Sequence, residues 1–368
     1  WIDLNVPAAG TWGEVASKQN TDYNHKRRRE MLAAYSTLNI EDFVDVEKVV
    51  NPYEPSEFIM PASLKAPTHA AAASTPTDWP LGARAKVQGA YNKDSLNLDM
   101  GQGVSIEFQK IPAGSFIMGS THETPQEQPL HKVSISKPFW MASTEVTVKQ
   151  YALFDKEHNN GVYDQHYKDQ VRRGYFVHKD NYPVIRVTWE KAQKFCQWLS
   201  EKTGKKVSLP TEAQWEWACR AGEDHDFWFG EHNTDYSKFA NLADSSMSQF
   251  AVKGVDPKPI KNPTSVYDFI PKDTYANDGA LLLADVKTYK ANPWGLYDMH
   301  GNVAEWTRSE MADYPYNELS STHADRGQKV VRGGSWRDRA KRATASYRLA
   351  YPSWQKVYNV GFRVIIED

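Results

Sequence analysis

A stretch of the chain from residue 223 to residue 300 shows almost no helical or strand periodicity. It is rich in Asn, Asp, Gly, Pro and aromatic residues. Connections longer than about 15 residues without secondary structure are uncommon in compact domains, and those that occur are usually functional. The sequence therefore predicts a domain whose irregular backbone is held in place by a functional site or by bound ions.

Aromatic side chains provide another means of holding irregular backbone. The chain of 368 residues contains 13 Trp, 19 Tyr and 14 Phe. Such side chains bury large areas, so they can pin loops that lack regular hydrogen bonding. The hydrophobic fraction of 40% and the charged fraction of 24% are otherwise ordinary for a globular protein. We expect a loop-rich fold.

Charge, hydropathy and cysteine content exclude several classes of protein. The formal net charge of −2 gives no bulk attraction to nucleic acid or to an anionic membrane. No apolar run approaches the roughly 20 residues of a membrane span. The two cysteines, Cys196 and Cys219, are too few for a disulfide-built scaffold or a zinc site of several thiolates. Their sequence context favours burial as small apolar residues, and a disulfide or a metal-binding pair are the alternatives.

Regular elements are predicted on both sides of the irregular stretch. Alternating apolar residues over 104–118, with a turn at Pro112–Gly114, predict a β-hairpin. Helical spacing predicts three helices, at 147–157, 187–204 and 209–222. A threonine at or near the start of each can cap it: Thr147, Thr188 and Thr211. Two short strands are expected near the carboxyl end of the sequence.

Changes of composition divide the chain into three segments. Residues 1–60 are polar and helical in character, which indicates a short helical segment or the tail of a larger upstream domain. Residues 61–102 are partly rich in Ala, Thr, Ser and Pro and are predicted to be a linker and lead-in. Residues 103–368 form the predicted main domain. The sequence starts at Trp1 rather than at Met, so we expect that targeting information is missing from it.

Seven motifs follow one another through the third segment. They are IPAGSFIMGS, PLHKVSISKPFWMASTEVTVKQY, YPVIRVTWEKAQKFCQWL, LPTEAQWEWACRAG, NPWGLYDMHGNVAEWT, VVRGGSW and NVGFRV. In this order they resemble the formylglycine-generating enzyme, or sulfatase-modifying factor, family, over about residues 103–368. The resemblance implies a compact α+β domain that is related to the C-type-lectin-like fold, has little regular secondary structure and binds calcium.

Two calcium sites are implied by the resemblance. Calcium takes six to eight oxygen ligands from carboxylates, amides and backbone carbonyls. One implied site lies in GNVAEW and uses the side chains of Asn302 and Glu305 with the carbonyl of Val303. The ligands implied for the other are the side chains of Asn241 and Asp278 and the carbonyls of Leu242 and Ala280. On spacing alone, these Asn and Asp residues fit equally well as loop residues that hydrogen-bond to nearby backbone.

The copper chemistry of the family is not expected in this chain. The enzymes of the family bind copper(I) with two cysteines, three and eight positions after the serine of the Gly-Gly-Ser motif. Thiolates are soft ligands that suit copper(I). Counted from Ser335, these positions hold Asp338 and Ala343, and residues 320–368 contain no cysteine. A carboxylate and a methyl group cannot hold copper(I). We therefore expect no copper, and the sequence favours a protein that is not an enzyme.

The segment after Ser335 is strongly basic. Guanidinium groups bind carboxylate, sulfate or phosphate through paired hydrogen bonds, and aromatic faces stack on sugars or peptides. The candidate ligand-binding residues are Trp336, Arg337, Asp338, Arg339, Arg342, Arg348 and Trp354. A solvated charged surface is the alternative for most of the basic residues.

These observations favour a non-catalytic, calcium-stabilised module that serves as a binding or scaffold component of an exported bacterial protein or assembly. The expected partners are other proteins of an exported or envelope complex, or an anionic or glycan ligand. The expected location is periplasmic, outer-membrane-associated or extracellular, because calcium is plentiful outside the cytoplasm. Two alternatives stay open: an enzyme of unknown oxidative or other chemistry on the same fold, and a glycan-binding module of a multidomain protein.

Overall fold

The computed structural model describes eight stretches of the chain. They are residues 85–88, 91–121, 124–163, 175–250, 252–253, 258–259, 270–314 and 327–367. The helical segment predicted at 1–60 lies outside the described residues, and so does the predicted linker up to residue 84. Within the described stretches, no helix has both the length and the apolar character needed to cross a membrane.

Short strands dominate the secondary structure, with few helices. The strands are β1 (Ala85–Val87), β2 (Ser95–Gly101), β3 (Val104–Ile111), β4 (Gly114–Met118), β5 (His131–Ile135), β6 (Phe139–Ala142), β7 (Val162–Tyr163), β8 (Tyr175–Phe176), β9 (Val207–Ser208), β10 (Val252–Lys253), β11 (Lys258–Pro259), β12 (Ala304–Glu310), β13 (Gln328–Arg332), β14 (Leu349–Pro352), β15 (Val360–Gly361) and β16 (Ile365–Ile366). The helices are α1 (Val148–Tyr151), α2 (Trp189–Thr203) and α3 (Glu212–Arg220), with 3₁₀ turns at Pro125–Glu127, Ser245–Phe250 and Ala340–Arg342. The mixed α and β character expected from the sequence is confirmed.

Within the residues that the structure describes, the strands pair into five sheets. The largest has the order β2-β3-β6-β16-β9 and is antiparallel throughout. A second sheet has the order β14-β13-β12-β15, in which β12 and β15 run parallel. A third has the order β1-β4-β5, and β7-β8 and β10-β11 are two-stranded. Strands β1 and β2 come from the predicted lead-in, so part of that segment contributes to the sheets.

The hairpin predicted over 104–118 is wrong in its pairing, although both strands exist. Strand β3 pairs with β2 and β6, whereas β4 pairs with β1 and β5. At the turn between them, the indole nitrogen of Trp217 donates a hydrogen bond to the Pro112 carbonyl at 2.9 Å. Most of the buried side chains of β3, such as Phe108, lie in one apolar cluster, whereas Ile111 at its end joins Phe116 of β4 in another. The chain therefore passes from one sheet to another at this turn.

The predicted helix caps are confirmed. The Thr188 hydroxyl accepts a hydrogen bond from the Lys191 amide at 3.2 Å, and α2 ends at Gly204 in a left-handed conformation. Thr211 and Gln214 form the reciprocal capping pair at the start of α3. Helix α1 begins at its predicted cap but ends at Tyr151, because the next backbone bonds include short turns such as Phe154 to Tyr151. The prediction of helix up to residue 157 is therefore wrong.

Two apolar clusters hold the larger elements together. Helix α2 packs its buried side chains, such as Phe195 and Leu199, in the cluster that also contains Phe108 of β3. Helix α3 is more deeply enclosed: Trp215 and Trp217 are fully buried. Because α3 is buried, the charged groups along it must find partners inside the protein.

Candidate functional site

The Gly-Gly-Ser motif turns the chain sharply after β13. Both Gly333 and Gly334 have positive φ, at 93° and 65°. A Cβ on Gly334 would lie 2.6 Å from the carbonyl oxygen of Arg342, so this position accepts only glycine. The turn brings the segment after Ser335 back against its own start. It therefore places the two positions that hold cysteine in the copper-binding family members in a packed environment.

Asp338, at the first of these positions, takes part in a local hydrogen-bond chain. The Ser335 hydroxyl donates to the Asp338 carboxylate at 2.6 Å, and the Asn359 amide donates to the Ser335 hydroxyl at 2.8 Å. Burial raises the pKa of Asp338, and the hydrogen bond from Ser335 opposes this shift. The carbonyl of Asp338 also accepts from the Ala243 amide at 3.0 Å. These contacts give Asp338 a role in holding the loop.

Ala343, at the second position, is fully buried beside an imidazole. Its carbonyl oxygen lies 2.6 Å from Nδ1 of His300. Burial lowers the pKa of His300 to about 3, so its ring is neutral. The Trp228 amide donates to Nε2 of the same ring, which fixes the proton on Nδ1. The methyl side chain of Ala343 itself cannot replace a soft metal ligand.

The cysteines do not restore a thiolate site. Cys219 Sγ lies 3.4 Å from Nε2 of His300, and burial raises the pKa of the thiol. Cys196 is buried too, and both cysteines are free, so the favoured prediction of buried reduced residues is confirmed and the disulfide alternative is wrong. Among the described residues, no three side chains of His, Cys, Asp or Glu are arranged as a metal-binding group.

The basic stretch divides into buried and exposed residues. Arg348 is 1% exposed, and its guanidinium donates to both carboxylate oxygens of Glu212 at 2.6 and 2.9 Å. Arg332, at the end of β13, pairs with Glu212 and Glu216. The prediction of Arg348 as a ligand-binding residue is therefore wrong, because the buried acids of α3 take up its charge.

Trp336 is also an interior residue. It is 2% exposed, and its ring lies edge-on to that of Tyr163, with centroids 4.8 Å apart. Its prediction as a stacking surface for a ligand is wrong, because it fills the core beneath the loop. Arg337 donates to the Tyr163 hydroxyl at 2.8 Å.

Other candidate ligand residues remain at least partly accessible. Arg342 is exposed, Arg337 and Arg339 are half-buried, and Trp354 is 71% exposed. Arg342 and Arg337 both act on the Asp338 carboxylate by lowering its pKa against the effect of burial. Arg337 and Arg342 thus provide positive charge near Asp338, and Trp354 follows β14 in the sequence.

The four residues of one implied calcium site come together. Asp278 accepts hydrogen bonds from the amides of Leu242 and Ala280, each at 2.8 Å. Asn241 donates through its side-chain nitrogen to the Leu282 carbonyl at 2.7 Å, while its side-chain oxygen is buried without a partner. Burial, together with the charge of Asp244, raises the pKa of Asp278 to about 7. An unpartnered amide oxygen beside a carboxylate with raised proton affinity fits a bound cation.

Asn302 and Glu305 are not brought together as a shared pair of side-chain ligands. Asn302 accepts hydrogen bonds from the Ala284 amide at 3.0 Å and from the Asn241 side chain at 3.2 Å, so it supports the site around Asp278. Glu305 pairs with the guanidinium of Arg363 at 2.7 Å and accepts from the indole of Trp215 at 2.8 Å. The side chain of Val303 packs in an apolar cluster between them.

Two buried acids beside Glu305 were missed by the sequence analysis. Both carboxylate oxygens of Glu145 and one of Asp298 have no hydrogen-bond partner. Burial and the charge of Asp298 raise the pKa of Glu145 well above its usual range. Burial raises that of Asp298 to about 6. Both lie within quoted motifs, in STEVT and GLYDMHG, where an acid among apolar residues was the available signal.

Comparison with known proteins identifies the family of this chain. Residues 105–368 match the sulfatase-modifying factor enzyme 1-like domain. The chain belongs to this family. The inactive C-alpha-formylglycine-generating enzyme 2 of Bos taurus is 26% identical over 312 residues, which cover 72% of this chain and 90% of the relative.

Other members of the sulfatase-modifying factor family differ in length and context. The serine/threonine-protein kinase pkn1 of Chlamydia caviae is 28% identical over 255 residues, which cover 64% of this chain. The match spans about a third of that relative, 34% of its length. The solved structure of PvdO from Pseudomonas aeruginosa has a TM-score of 0.54 and 25% identity, covering 72% of this chain and 95% of PvdO.

Proposed function

We propose that this chain is a non-catalytic, calcium-stabilised member of the sulfatase-modifying factor family that serves as a binding or scaffold component. One observation carries the proposal: the two copper-ligand positions hold Asp338 and Ala343, and both are integrated into the packing. The carboxylate of Asp338 accepts from Ser335, and the carbonyl of Ala343 contacts the neutral His300. The inactive relative with 90% coverage provides a precedent by its name.

Calcium is part of the proposal, and two groups of residues fit it. The first would hold the ion with the Asn241 side-chain oxygen, the Asp278 carboxylate and the carbonyls of Leu242 and Ala280. The second would use Asp298 and Glu145, two acids next to the ion pair of Glu305 with Arg363, with the Val303 carbonyl nearby in sequence. Unpartnered buried oxygens support both assignments. Calcium would supply positive charge at each group and so hold the irregular backbone around it.

Ligand binding is assigned to the surface around Asp338. Arg337, Arg339 and Arg342 would contact an anionic ligand or an acidic partner surface, and Trp354 would stack on a sugar or a peptide. A lectin-like platform in an exported or envelope assembly suits these features. The proposed location is periplasmic, outer-membrane-associated or extracellular, where calcium is available.

A conversion assay tests the non-catalytic role directly. The purified chain is incubated with copper, oxygen, a thiol reductant and a cysteine-containing sulfatase-type peptide, and the peptide is analysed by mass spectrometry. We expect no formylglycine, because no thiolate pair is present to hold copper(I). A relative with both cysteines serves as the positive control. Conversion by this chain above the level without protein would overturn the proposal.

A further inference from the structure

A short loop after α3 carries its polar residues in mirror order. The sequence of residues 225–232 is HDFWFGEH, with a histidine and an acid at each end and three aromatic residues between them. The backbone is pinched inside the loop, because the amides of Phe227 and Gly230 each donate to the carbonyl of the other, at 2.9 and 3.1 Å. We call residues 225–232 the strap.

The two ends of the strap are tied to each other by crosswise contacts. Nδ1 of His225 lies 2.6 Å from the carboxylate of Glu231. Nε2 of His232 lies 3.3 Å from the carboxylate of Asp226. The two pairs meet, because Asp226 and His232 also act on Glu231. The Tyr275 hydroxyl donates to the His232 carbonyl at 2.8 Å. These contacts close the base of the loop.

The aromatic residues of the strap pack against His300. The Trp228 amide donates to Nε2 of His300 at 3.4 Å, and the ring centroids of Phe227 and His300 are 4.9 Å apart. Cys219 Sγ lies 3.4 Å from the same Nε2, and the carbonyl of Ala343 lies against Nδ1. Cys219 and Ala343 are fully buried. The strap therefore helps to cover a thiol and the position of the second cysteine of the family.

The contact at the base of the strap depends on the charge of an exposed histidine. The hydrogen bond with Glu231 raises the pKa of His225, and the charges of Glu223 and Asp224 act in the same direction against a small effect of burial. The same hydrogen bond lowers the pKa of Glu231. The Arg220 guanidinium donates to the His225 carbonyl at 3.0 Å, so a cation lies on the backbone side of this residue.

Closure of the strap and protonation of its base are therefore linked. Opening separates His225 from Glu231 and returns the imidazole to its ordinary pKa of about 6.5. The ion pair stabilises the closed strap fully below that value, and this contribution is lost as the pH rises through the raised pKa of the closed state. Burial lowers the pKa of His300 beneath the strap to about 3, so its ring stays neutral from pH 7 to pH 9.

We propose that the strap is a pH-sensitive cover over Cys219 and the Ala343 position. Its histidine–acid pairs clasp it near neutral pH, and it loosens as the pH rises. This device does not depend on calcium or on a bound ligand.

Hydrogen exchange on the whole chain measures opening of the strap. A peptide covering residues 225–232 is followed by mass spectrometry at pH 7 and pH 9 with calcium held constant, and the protection factors are corrected for the intrinsic effect of pH on exchange. We expect protection to be about two- to fivefold lower at pH 9, the range for an exposed ion pair. Protection of α2 is the reference that separates opening of the strap from global unfolding.

A matched pair of substitutions at one position assigns the effect to charge. His225→Gln removes the charge and should give the weaker protection at both pH values. His225→Lys keeps a positive charge at both and should give the stronger protection at both. His178→Gln, outside the strap, is the control and should keep the pH response of the unmodified chain. Circular dichroism verifies that all variants are folded.

Thiol labelling tests whether the strap covers Cys219. In a Cys196→Ala background, Cys219 is the sole cysteine of the chain. At a fixed pH of 8, labelling by a maleimide should be about two- to fivefold faster with His225→Gln than with His225→Lys, because the looser strap exposes the thiol more often. The fixed pH removes the general effect of pH on thiol reactivity.

Three outcomes would contradict a pH-sensitive strap. The first is equal protection of the strap, relative to α2, at pH 7 and pH 9. The second is equal protection in His225→Gln and His225→Lys. The third is labelling of Cys219 at the same rate in these two variants, which would mean that the strap does not control access to the thiol.

Discussion

Two clusters of buried charge in this domain are built in opposite ways. In the cluster on α3, three acids face three guanidinium groups: Glu127, Glu212 and Glu216 with Arg220, Arg332 and Arg348. In the cluster at Arg363, one guanidinium group faces three acids, Glu145, Asp298 and Glu305. We call them the balanced cluster and the acidic cluster.

The electrostatic consequences differ accordingly. In the balanced cluster, burial acts to raise the pKa of Glu216, but Arg220 and Arg332 hold it below its usual value. The pKa of Glu127 is raised, because burial outweighs its hydrogen bonds and the charge of Arg332. In the acidic cluster, the pKa values of Glu145 and Asp298 are raised, because burial outweighs the effect of the single arginine. The protein alone neutralises the first cluster. The second needs protons or a cation from outside.

The largest loss of stability is expected from a substitution that breaks the balanced cluster. Arg332→Leu should lower the free energy of unfolding by about 3–5 kcal/mol, because it leaves Glu212 and Glu216 buried without their shared partner. Urea denaturation measures the loss. Calcium should not restore stability, and Arg342→Leu, at an exposed position, should change little. Rescue of Arg332→Leu by calcium would show that the two clusters are not independent.

Removal of calcium should have the next largest effect. Addition of EGTA should lower the melting temperature, and calcium at about 100 times its dissociation constant should restore about 2.7 kcal/mol per site. Magnesium should be less effective, because it demands stricter geometry and dehydrates reluctantly. Asp278→Asn should reduce the calcium response, whereas Asp235→Asn, at an exposed loop carboxylate, should keep it. A melting temperature unaffected by EGTA would contradict the assignment of calcium.

The two clusters should make the free energy of unfolding depend on pH with opposite signs. The pKa of Asp298 is raised to about 6, so the folded chain without calcium binds its proton more tightly than the unfolded chain does. The contribution of Asp298 to the free energy of unfolding is fully present below about pH 4 and is lost as the pH rises through 6. The loss amounts to about 3 kcal/mol. Glu216 has the opposite effect on stability, because its pKa is lowered in the folded state. Ionised Glu216 therefore stabilises the folded chain above about pH 4, and this contribution is lost on acidification.

Melting curves between pH 4 and pH 8, with and without calcium, separate the two contributions. Without calcium, stability should peak at mildly acidic pH. With calcium, the peak should move towards neutral pH, because the cation replaces the proton on the buried acids. Identical profiles in both conditions would mean that the acidic cluster does not bind calcium.

Glu145→Gln should give the smallest change in the free energy of unfolding. Burial and the charge of Asp298 raise the pKa of Glu145 well above its usual range and so favour its neutral form, and glutamine has a similar shape and no charge. Stability without calcium should therefore change by less than about 1 kcal/mol, while the gain on adding calcium should shrink. Calorimetry with and without calcium measures both. Glu157→Gln, at the surface, is the matched control.

Local features of this fold were predictable from the sequence, and long-range ones were not. The caps at Thr188 and Thr211 and the convergence of Asn241 with Asp278 followed from short motifs or from the family resemblance. Periodicity predicted β3 and β4 but not their sheets, since alternation does not identify a neighbour. The burial of Arg348 was missed because its partner Glu212 lies 136 positions away.

The position of β16 has a consequence for biosynthesis. This strand, Ile365–Ile366, lies between β6 and β9 inside the largest sheet, and Arg363 just before it neutralises Glu305. Because a ribosome makes the chain from the amino end, β6 and β9 emerge long before the strand that joins them. The sheet and the acidic cluster can therefore close only when these late residues have left the exit tunnel. A nascent chain that stalls before residue 360 would expose apolar strand edges and would depend on chaperones.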